Sequence, residues 1–410
     1  MIYFLNLGKH LKKVIRMVKI ISISFLLIFL LQINVQKGFA QKAGNNKELF
    51  PCRKGKEWGY VNAKREWIVH WGYDDAMPFS EERAAVKLDG RWGFLNTEGL
   101  AIISLRYDSL GNFNSGLAYA FQNQKYGFIN KEGKAIVPIK YEKIKEMKEG
   151  LAAFQLGGKW GIVSAQGVEI AGNQYDYVGN CNEGLIVVNF GGKMGYLNKQ
   201  GREIGSGYFY KAAMDFKEGM AAVMNNDKWG FIDKQGNEII EPKYEKVGNF
   251  CEGLAPVQKS GFWGFIDKTG KELVPCAYNE VGDCSEGLCA VKSNDKWGFI
   301  DKTGRLVIPF KYSAVRSFKG GYAPIMSKKW GLLAANGKEV TEPRYDDLKS
   351  IGEGLFAVKL GAKWGCLDNN GVEAIPLKYA QIFEFQKGLA KVSLGKLTGY
   401  ITKEGTEYFE

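Results

Sequence analysis

The sequence predicts an all-β protein, a tandem array of about eleven β-meander units of 34 residues each. Three observations lead to this fold class. A Trp-Gly pair or a relic of it recurs about every 34 residues, apolar and polar residues alternate in short runs, and glycine is abundant at 52 of 410 residues. A fixed period of this length indicates a repeat architecture in which each unit packs on its neighbours. The excess of glycine over its usual share of about 7% indicates many turns with positive φ.

The first residue of each recurring pair, called the marker below, is an aromatic residue in most units. The markers are Trp58, Trp92, Tyr126, Trp160, Met194, Trp229, Trp263, Trp297, Trp330, Trp364 and Thr398. Large aromatic side chains bury about 150–250 Å² each, and a glycine lets another backbone approach closely. We therefore expect the marker to pack between units as a structural residue, and its glycine to admit the neighbouring unit.

Each unit contains three short runs in which apolar and polar residues alternate. In the unit at residues 252–282 the runs lie at 254–257, 263–267 and 272–275, and a short extended segment around Tyr278 closes the unit. Runs of four to six residues with period two predict strands rather than helices. A single three-stranded meander is marginal in water, so the units must stack. A helical repeat is excluded, because each fixed glycine would cost about 1 kcal/mol inside a helix.

The second and third runs are joined by the pattern Asp-Lys-x-Gly, as at Asp233, Asp267 and Asp301. The Asp caps a type I turn, and the Gly takes the left-handed position of a hairpin bulge. Asn130 and Asn198 stand at the same place in other units. Because both residue types cap the turn, this interchange argues against a catalytic carboxylate there.

Prolines near the end of the third run predict where that strand stops. Proline cannot donate to a strand ladder, so we expect it to end the third strand. These prolines are Pro138, Pro242, Pro275, Pro309, Pro343 and Pro376.

Two architectures fit such units, an open β-solenoid or superhelix and a closed propeller. Propellers typically have four to eight blades, and eleven units are too many for one. We therefore expect the open array.

Residues 1–40 predict a secretory signal peptide, which leaves 41–410 as the repeat array. Basic residues precede an apolar run at 20–31, and a Gly-Phe-Ala triplet offers a cleavage site after it. The apolar run is shorter than the roughly 20 residues that a membrane span needs, so we expect no span after signal removal. The exported protein would reside in the periplasm, at the cell surface or outside the cell. Whether translation begins at Met1 or Met17 stays open.

The charge pattern disfavours a nucleic-acid partner. The formal net charge of the whole chain is +12, and six of its basic residues belong to the predicted signal peptide. The remaining basic residues are spread through the repeats beside Glu or Asp, whereas nucleic-acid binding needs a basic stripe.

Seven cysteines occur, none in a C-x-x-C pair. Cys181, Cys284, Cys289 and Cys366 stand where other units have apolar residues, which predicts buried thiols. Export would permit disulfides. Cys251 and Cys284, on successive units, are the candidate pair, and the sequence leaves open whether they are bridged.

The pattern Lys-Trp-Gly-Phe-Ile-Asp-Lys-x-Gly, clearest at residues 228–236 and 296–304, closely resembles the WG repeat, also called the KWG repeat. The resemblance covers roughly residues 47–410. It implies a β-rich repeat protein of a mostly bacterial, often exported family. It implies no settled activity and no catalytic residues.

The residues do not predict an enzyme. His70 is the only histidine after the predicted signal peptide, and a lone histidine beside Trp67 and Trp71 is more typical of packing than of catalysis. We expect no cofactor. We also expect no metal site, because Ser164 and Ala334 replace the turn Asp in other units.

A binding role remains. We predict a scaffold for a protein partner of unknown identity, bound by the variable loops that precede the markers, as at residues 224–227. The alternative is an envelope glycan or peptidoglycan, stacked on exposed aromatic side chains. The sequence names no binding residue.

Overall fold

The structure is a computed structural model that describes residues 48–205, 207 and 209–410. The predicted signal peptide at residues 1–40 lies outside the described residues, so its prediction stays untested. The chain divides into two compact parts, each made of several repeats, which are called the N-terminal unit and the C-terminal unit below. The first holds the described residues up to Ala118 together with Lys131–Gly133 and Glu410, and the second holds Tyr119–Asn130 and Lys134–Phe409.

The described residues form eleven separate antiparallel sheets, numbered here in chain order, whose strands are consecutive in sequence. Sheets 1 to 4 are β1 (Phe50–Lys54), β2 (Glu57–Val61), β3 (Trp67–Tyr73); β4 (Asp75–Ala76), β5 (Ala84–Leu88), β6 (Arg91–Leu95), β7 (Ala101–Tyr107); β8 (Ser109–Leu110), β9 (Leu117–Gln122), β10 (Lys125–Asn130), β11 (Ala135–Tyr141); and β12 (Lys143–Ile144), β13 (Leu151–Leu156), β14 (Lys159–Ser164), β15 (Glu169–Tyr175).

Sheets 5 to 8 follow the same plan, although sheet 5 has three strands. They are β16 (Tyr177–Asn182), β17 (Leu185–Phe190), β18 (Lys193–Asn198); β19 (Ala212–Ala213), β20 (Met220–Asn225), β21 (Lys228–Asp233), β22 (Glu238–Tyr244); β23 (Lys246–Val247), β24 (Ala255–Lys259), β25 (Phe262–Ile266), β26 (Glu272–Tyr278); and β27 (Glu280–Ser285), β28 (Leu288–Ser293), β29 (Lys296–Asp301), β30 (Leu306–Tyr312).

Sheets 9 to 11 complete the series. They are β31 (Ala314–Val315), β32 (Tyr322–Met326), β33 (Trp330–Ala334), β34 (Glu339–Tyr345); β35 (Asp347–Ser350), β36 (Phe356–Leu360), β37 (Lys363–Leu367), β38 (Glu373–Tyr379); and β39 (Gln381–Ile382), β40 (Leu389–Leu394), β41 (Leu397–Thr402), β42 (Glu407–Tyr408).

A complete sheet has four strands, and three turns join them in order. The first turn holds the Glu-Gly pair, the second turn precedes the marker, and the third turn is Asp-Lys-x-Gly. The sequence predicted three strands and a closing Tyr segment, but Tyr244 ends the fourth strand itself. The next residues, Lys246–Val247, are the first strand of the following sheet, where they pair with Gln258 and Val257.

The expectation of an open β-solenoid is not supported. A solenoid joins equivalent strands of successive repeats in continuous ladders, whereas each repeat of the described chain forms its own separate meander of three or four strands. Such meanders have the form of propeller blades. The all-β class and the tandem array of about eleven units are confirmed.

The N-terminal unit completes its first sheet from the other end of the chain. Sheet 1 has no first strand among the described residues. The backbone N–H of Glu410 donates to the carbonyl of Arg53 at 2.9 Å, just as the N–H of Glu142 donates to the carbonyl of Gln155 in sheet 4. Glu410 therefore takes the first-strand place in sheet 1.

The core lies between consecutive sheets. One cluster joins Phe231, Ile240 and Tyr244 of sheet 6 to Val257 and Ile266 of sheet 7. Six further clusters combine residues of neighbouring sheets in the same way within residues 151–409. Within residues 151–409, the repeats thus bury their apolar faces against the neighbouring repeats, as the repeat period predicted.

The marker glycine has a different role from the one expected, whereas the third-turn glycine takes the left-handed conformation that was predicted, with φ of 83° at Gly270. A Cβ on the marker glycine Gly298 would lie 2.5 Å from the carbonyl oxygen of Ile308, which belongs to the fourth strand of the same sheet. The expectation that this glycine admits the neighbouring unit was wrong. The third-turn glycine Gly270 does so instead, because its Cβ would lie 3.3 Å from Ile240 of the preceding sheet.

The prolines do not end a strand. In sheet 6 the pairing passes from Phe231–Ile240 to Trp229–Tyr244, so Gly230 alone faces three residues that include Pro242. Proline fits this bulge because the ladder requires no N–H there. The prediction that these prolines terminate the strand was therefore wrong.

Cys251 and Cys284, whose pairing the sequence left open, are not bridged, and the prediction that Cys284 and Cys289 are buried thiols was wrong. Cys284 is bonded to Cys289, its partner across the first two strands of sheet 8. Cys251 is a free thiol that donates to the carbonyl of Cys284 at 3.0 Å. Cys181 and Cys366 are free and buried, as predicted.

Candidate functional site

The first turns of sheets 4 to 8 carry an unbroken series of glutamates that bind one another's backbone. The carboxylate of Glu183 accepts the N–H groups of Glu218 and Gly219 at 2.6 and 2.8 Å. Glu218 accepts the N–H groups of Glu252 and Gly253 in the same way. The whole series, called the glutamate row below, consists of Glu149, Glu183, Glu218, Glu252 and Glu286.

The turn geometry explains why this row has to be held in place. Glu183 has φ of 53° and Gly184 has φ of 86°, so both central residues of the hairpin are left-handed. A non-glycine residue in this region costs roughly 1 kcal/mol or more. Two charge-assisted hydrogen bonds to the carboxylate offset that cost.

A lysine from the next sheet pairs with four of the five glutamates, Glu149, Glu183, Glu218 and Glu252. Lys234 lies 3.0 Å from Glu183, and Lys268 lies 3.4 Å from Glu218. Burial alone would raise the pKa of Glu183, but Lys234 and the two turn N–H groups lower it more. Its pKa therefore lies below the ordinary value of 4.5.

A cleft of about 370 Å³ lies along the glutamate row, and its walls come from five consecutive sheets of the C-terminal unit. It is lined by Glu149, Asn182, Glu183, Phe216, Lys217, Glu218, Asn249, Phe250, Cys251 and Asp283. Phe216 and Phe250 are buried beneath it, and Asp283 is exposed. Within the part of the chain that is described, Asp283 and Asn249 have no side-chain hydrogen bond or ion pair, so both are available to a ligand.

Lysine or arginine side chains in the first strands, or directly after them, lie over the indole rings of several markers. The Lys145 ammonium lies 5.2 Å from the Trp160 ring centre and 4.4 Å from that of Tyr177. It donates to the carbonyl of Val178 in the next sheet at 2.6 Å. Burial lowers the pKa of Lys145, and the nearby Asp215 partly offsets this.

Two other markers have the same arrangement. Arg316 lies 4.4 Å from the Trp330 ring centre and binds the carbonyl of Leu348 and the carboxylate of Asp347. Lys349 lies 5.3 Å from the Trp364 ring centre. Such cation–π contacts contribute about 0.5–2 kcal/mol each.

The structure places the markers in the third strand of each sheet. Trp58 and Trp92 are buried. The other markers are half-buried, and they are Tyr126, Trp160, Met194, Trp229, Trp263, Trp297, Trp330, Trp364 and Thr398. Trp160, Met194, Trp229, Trp297, Trp330 and Trp364 pack against the clusters between sheets.

The variable loops proposed as binding elements are tight second turns. Asn226 and Asp227 have φ of 47° and 61°, and Ser260 and Gly261 have φ of 53° and 83°. Two left-handed residues in succession favour Asn, Asp and Gly. The backbone therefore explains much of the composition of these loops, which weakens the case for them as the binding surface.

The remaining candidate residues lie in structural contacts. His70 packs its ring against Trp71, 5.7 Å between centres, in the N-terminal unit. Asp267 accepts the N–H groups of Thr269 and Lys271 and caps the third turn, as predicted. Residues 48–205, 207 and 209–410 hold no group of three or more His, Cys, Asp or Glu side chains that could bind a metal ion. The same residues include no helix that could span a membrane.

These features define a β-rich repeat protein with blade-type sheets. The sequence profile described as "WG containing repeat" matches ten consecutive segments, at residues 58–92, 92–126, 126–160, 160–193, 194–229, 229–261, 263–297, 297–328, 330–364 and 364–397. The chain therefore belongs to the WG repeat family. No curated protein sequence matches it.

Several solved structures are similar to the chain at low sequence identity. A eukaryotic initiation factor has a TM-score of 0.41 and 12% identity, over 88% of this chain and 95% of that one. Hsv2p from Kluyveromyces lactis has a TM-score of 0.36 and 10% identity, over 58% and 96%. PorZ, a surface component of the type-IX secretion system of Porphyromonas gingivalis, has a TM-score of 0.24 and 11% identity, over 90% and 66%.

Sequence reasoning missed the cleft and the row beside it. Both depend on which first turns have a glutamate, and this differs between repeats. The repeat pattern was identified from the residues that all repeats share, so it did not indicate this difference. Ser115 and Gly320 replace the glutamate in sheets 3 and 9. That uninterrupted run between two breaks was the available signal.

Proposed function

We propose that this protein is an exported, non-enzymatic scaffold that binds a protein partner at the cleft along the glutamate row. The observation that carries this proposal is the cleft itself, which joins five consecutive sheets in a volume of about 370 Å³. Ligand sites in proteins are typically concave and of about 300–1,000 Å³. The side chains of Asn249 and Asp283 supply polar groups that the fold does not use.

A rigid frame supports this role. The carboxylates of the glutamate row fix each first turn to the next, so the cleft walls are held by hydrogen bonds from backbone N–H groups to glutamate side chains. A preformed surface binds with little loss of conformational entropy. Lys217 and the exposed Asp283 give this surface charges of both signs, which suits a polar protein segment.

The alternative is an envelope glycan stacked on aromatic rings. It requires open ring faces, and the marker rings of Trp160, Trp330 and Trp364 are instead covered by cations of the protein itself. The exposed aromatic residues occupy unrelated positions of the repeat, and they are Tyr177, Phe190, Phe209, Phe262 and Phe383. This scatter favours the protein partner over the glycan.

The proposal assigns no catalysis to the cleft. Glu149, Glu183 and Glu218 each hold backbone N–H groups and a lysine, and these bonds stabilise the fold. Export is part of the proposal on the strength of the leader pattern in residues 1–40.

A site-specific photo-cross-linker at Lys217 tests the proposal in cell-envelope extract. Lys217 is exposed and lines the cleft, and Lys319 stands at the same turn position of sheet 9, where Gly320 replaces the glutamate. We expect one defined adduct from position 217 and none from position 319. Equal labelling from both positions, or no adduct from either, overturns the proposal.

A further inference from the structure

At Trp263 the chain leaves a cation-binding slot empty. The slot is the space over a marker ring that Lys145 fills at Trp160 and Arg316 fills at Trp330. In the filled slots the cation comes from a first-strand position whose N–H donates to the second strand, as Lys145 does to Ala153 and Arg316 does to Pro324. Gly248 holds the same position in sheet 7, since its N–H donates to Pro256 at 2.8 Å. It has no side chain to place over Trp263.

The other walls of this slot are all present. In the slot filled by Arg316, the first two residues of the next first strand supply the ligands, the Asp347 carboxylate and the Leu348 carbonyl. The equivalent residues at Trp263 are Glu280 and Val281, which open β27. Among the described residues, no cation lies over the Trp263 ring.

Two carboxylates make this slot electrostatically suited to a cation. Glu280 pairs with Lys292 through one oxygen at 2.6 Å and keeps its second oxygen. A Cβ on Gly248 would lie 4.0 Å from Oδ1 of Asp283, so Asp283 borders the same space. Asp283 also lines the cleft, so the slot and the cleft share this carboxylate.

The neighbouring slots differ in ways that single out Trp263. At Trp297, Gly282 again provides no cation, but Ala314 replaces the carboxylate residue. At Trp229, Met214 fills the first-strand position. Among the markers of the described residues, Trp263 alone combines an indole ring that no cation of the chain covers with a carboxylate and a backbone carbonyl at the equivalent positions of the next sheet.

We propose that the slot at Trp263 binds a lysine or arginine side chain of the protein partner, in the geometry that Lys145 and Arg316 show at their own tryptophans. The guest cation lies over the indole ring, donates to the Val281 carbonyl and pairs with Glu280 and Asp283. This inference rests on the proposed function, and it names the chemistry by which the partner is recognised.

The probe is the peptide N-acetyl-Gly-Lys-Gly-amide, and its norleucine analogue is the neutral control. Binding is followed by the indole N–H signals of the ten tryptophans, with Trp263→Phe assigning the signal of interest. We expect a saturable shift of the Trp263 signal with the lysine peptide and none with the norleucine peptide. No shift with the lysine peptide, or equal shifts with both, overturns the proposal.

Two variants make the test sharper. Gly248→Arg supplies an internal cation and is expected to weaken peptide binding at least tenfold. Its Cβ would lie 2.6 Å from the Pro256 ring, which has to shift, and Arg316 beside Pro324 shows a side chain accommodated next to the equivalent proline of sheet 9. Arg316→Gly is expected to open a second slot, so that the Trp330 signal begins to respond. Unchanged binding by Gly248→Arg overturns the proposal, and the other nine indole signals verify the fold.

The cross-linking experiment separates this inference from the proposed function. If Lys217 still captures its partner while the lysine peptide fails to bind, the slot is wrong and the scaffold stands. If no partner is captured but the peptide binds at Trp263, the slot stands and the proposed function is wrong.

Discussion

The carboxylate of Glu183 accepts a 2.8 Å hydrogen bond from the backbone N–H of Gly219, which occupies the same turn of the next sheet. The same contact recurs from sheet to sheet. A glutamate whose backbone takes the unfavourable left-handed conformation therefore links one repeat to the next through its carboxylate. Apolar packing and the glutamate row therefore act at the same junctions.

Loss of the charge at Glu183 should weaken the array. Glu183→Gln keeps an acceptor oxygen but removes the ion pair with Lys234 and one charge-assisted bond. We expect the free energy of unfolding in urea to fall by about 1–2 kcal/mol. Glu146→Gln, at an exposed residue outside the glutamate row, should change it by less than about 0.5 kcal/mol. Equal effects from the two variants would show that the junction contributes nothing.

Stability should fall in acid at the pH where the glutamate row titrates. The pKa values of Glu149, Glu183 and Glu252 lie below the ordinary 4.5 in the folded protein. A carboxyl with a lowered folded pKa contributes stability that is present above its unfolded pKa and is lost as pH falls through its folded pKa. We expect urea midpoints to be constant from pH 7 to about pH 5 and to decline below about pH 4.5. Glu183→Gln should show a shallower decline, and a steeper one would contradict this account.

The repeat period predicted the units and their strands because period-two alternation and turn residues are local signals. It could not show that Lys246–Val247 belongs to the next sheet, since a two-residue strand is defined only by its partner across space. The role of Gly298 was hidden for the same reason, because the bulge opposite it depends on strand register. The slot at Trp263 exists because Gly248 stands at the repeat position that Lys145 and Arg316 hold in other sheets. The sequence shows this difference, but its consequence can be inferred only from the contacts that Lys145 and Arg316 make.

Two glycines of sheet 8 should respond very differently to alanine. A Cβ on Gly298 would lie 2.5 Å from the Ile308 carbonyl oxygen and 3.1 Å from the backbone of Pro309, so the two strands must move apart. We expect Gly298→Ala to cost about 3 kcal/mol, at the upper end of overpacking. Gly287 has φ of 80° and open space around it, so Gly287→Ala should cost only the left-handed conformation, about 1–2 kcal/mol. Urea unfolding ranks the two, and the reverse order would show that packing at the marker glycine is not the constraint.

The disulfide of sheet 8 should be found within one hairpin. Peptide mapping without reductant is expected to link Cys284 to Cys289 and to recover Cys251 as a thiol. Reduction should lower the free energy of unfolding by about 2 kcal/mol, as the closure of so short a loop implies. The double variant Cys284→Ala/Cys289→Ala serves as the control and should not respond to reductant. A peptide that links Cys251 to Cys284 would contradict the structure.

Cys251 acts as a hydrogen-bond donor between sheets, so a hydroxyl should replace its thiol. Its Sγ lies 3.0 Å from the carbonyl of Cys284, and Ser285 makes the equivalent bond to the carbonyl of Phe318 at 2.7 Å. We expect Cys251→Ser to leave the free energy of unfolding within about 0.5 kcal/mol of the parent. Cys251→Ala should lower it by about 1 kcal/mol, because the carbonyl of Cys284 loses its donor. Urea unfolding under reducing conditions measures both variants, and equal losses would mean that the thiol contributes through its volume and not through its hydrogen bond.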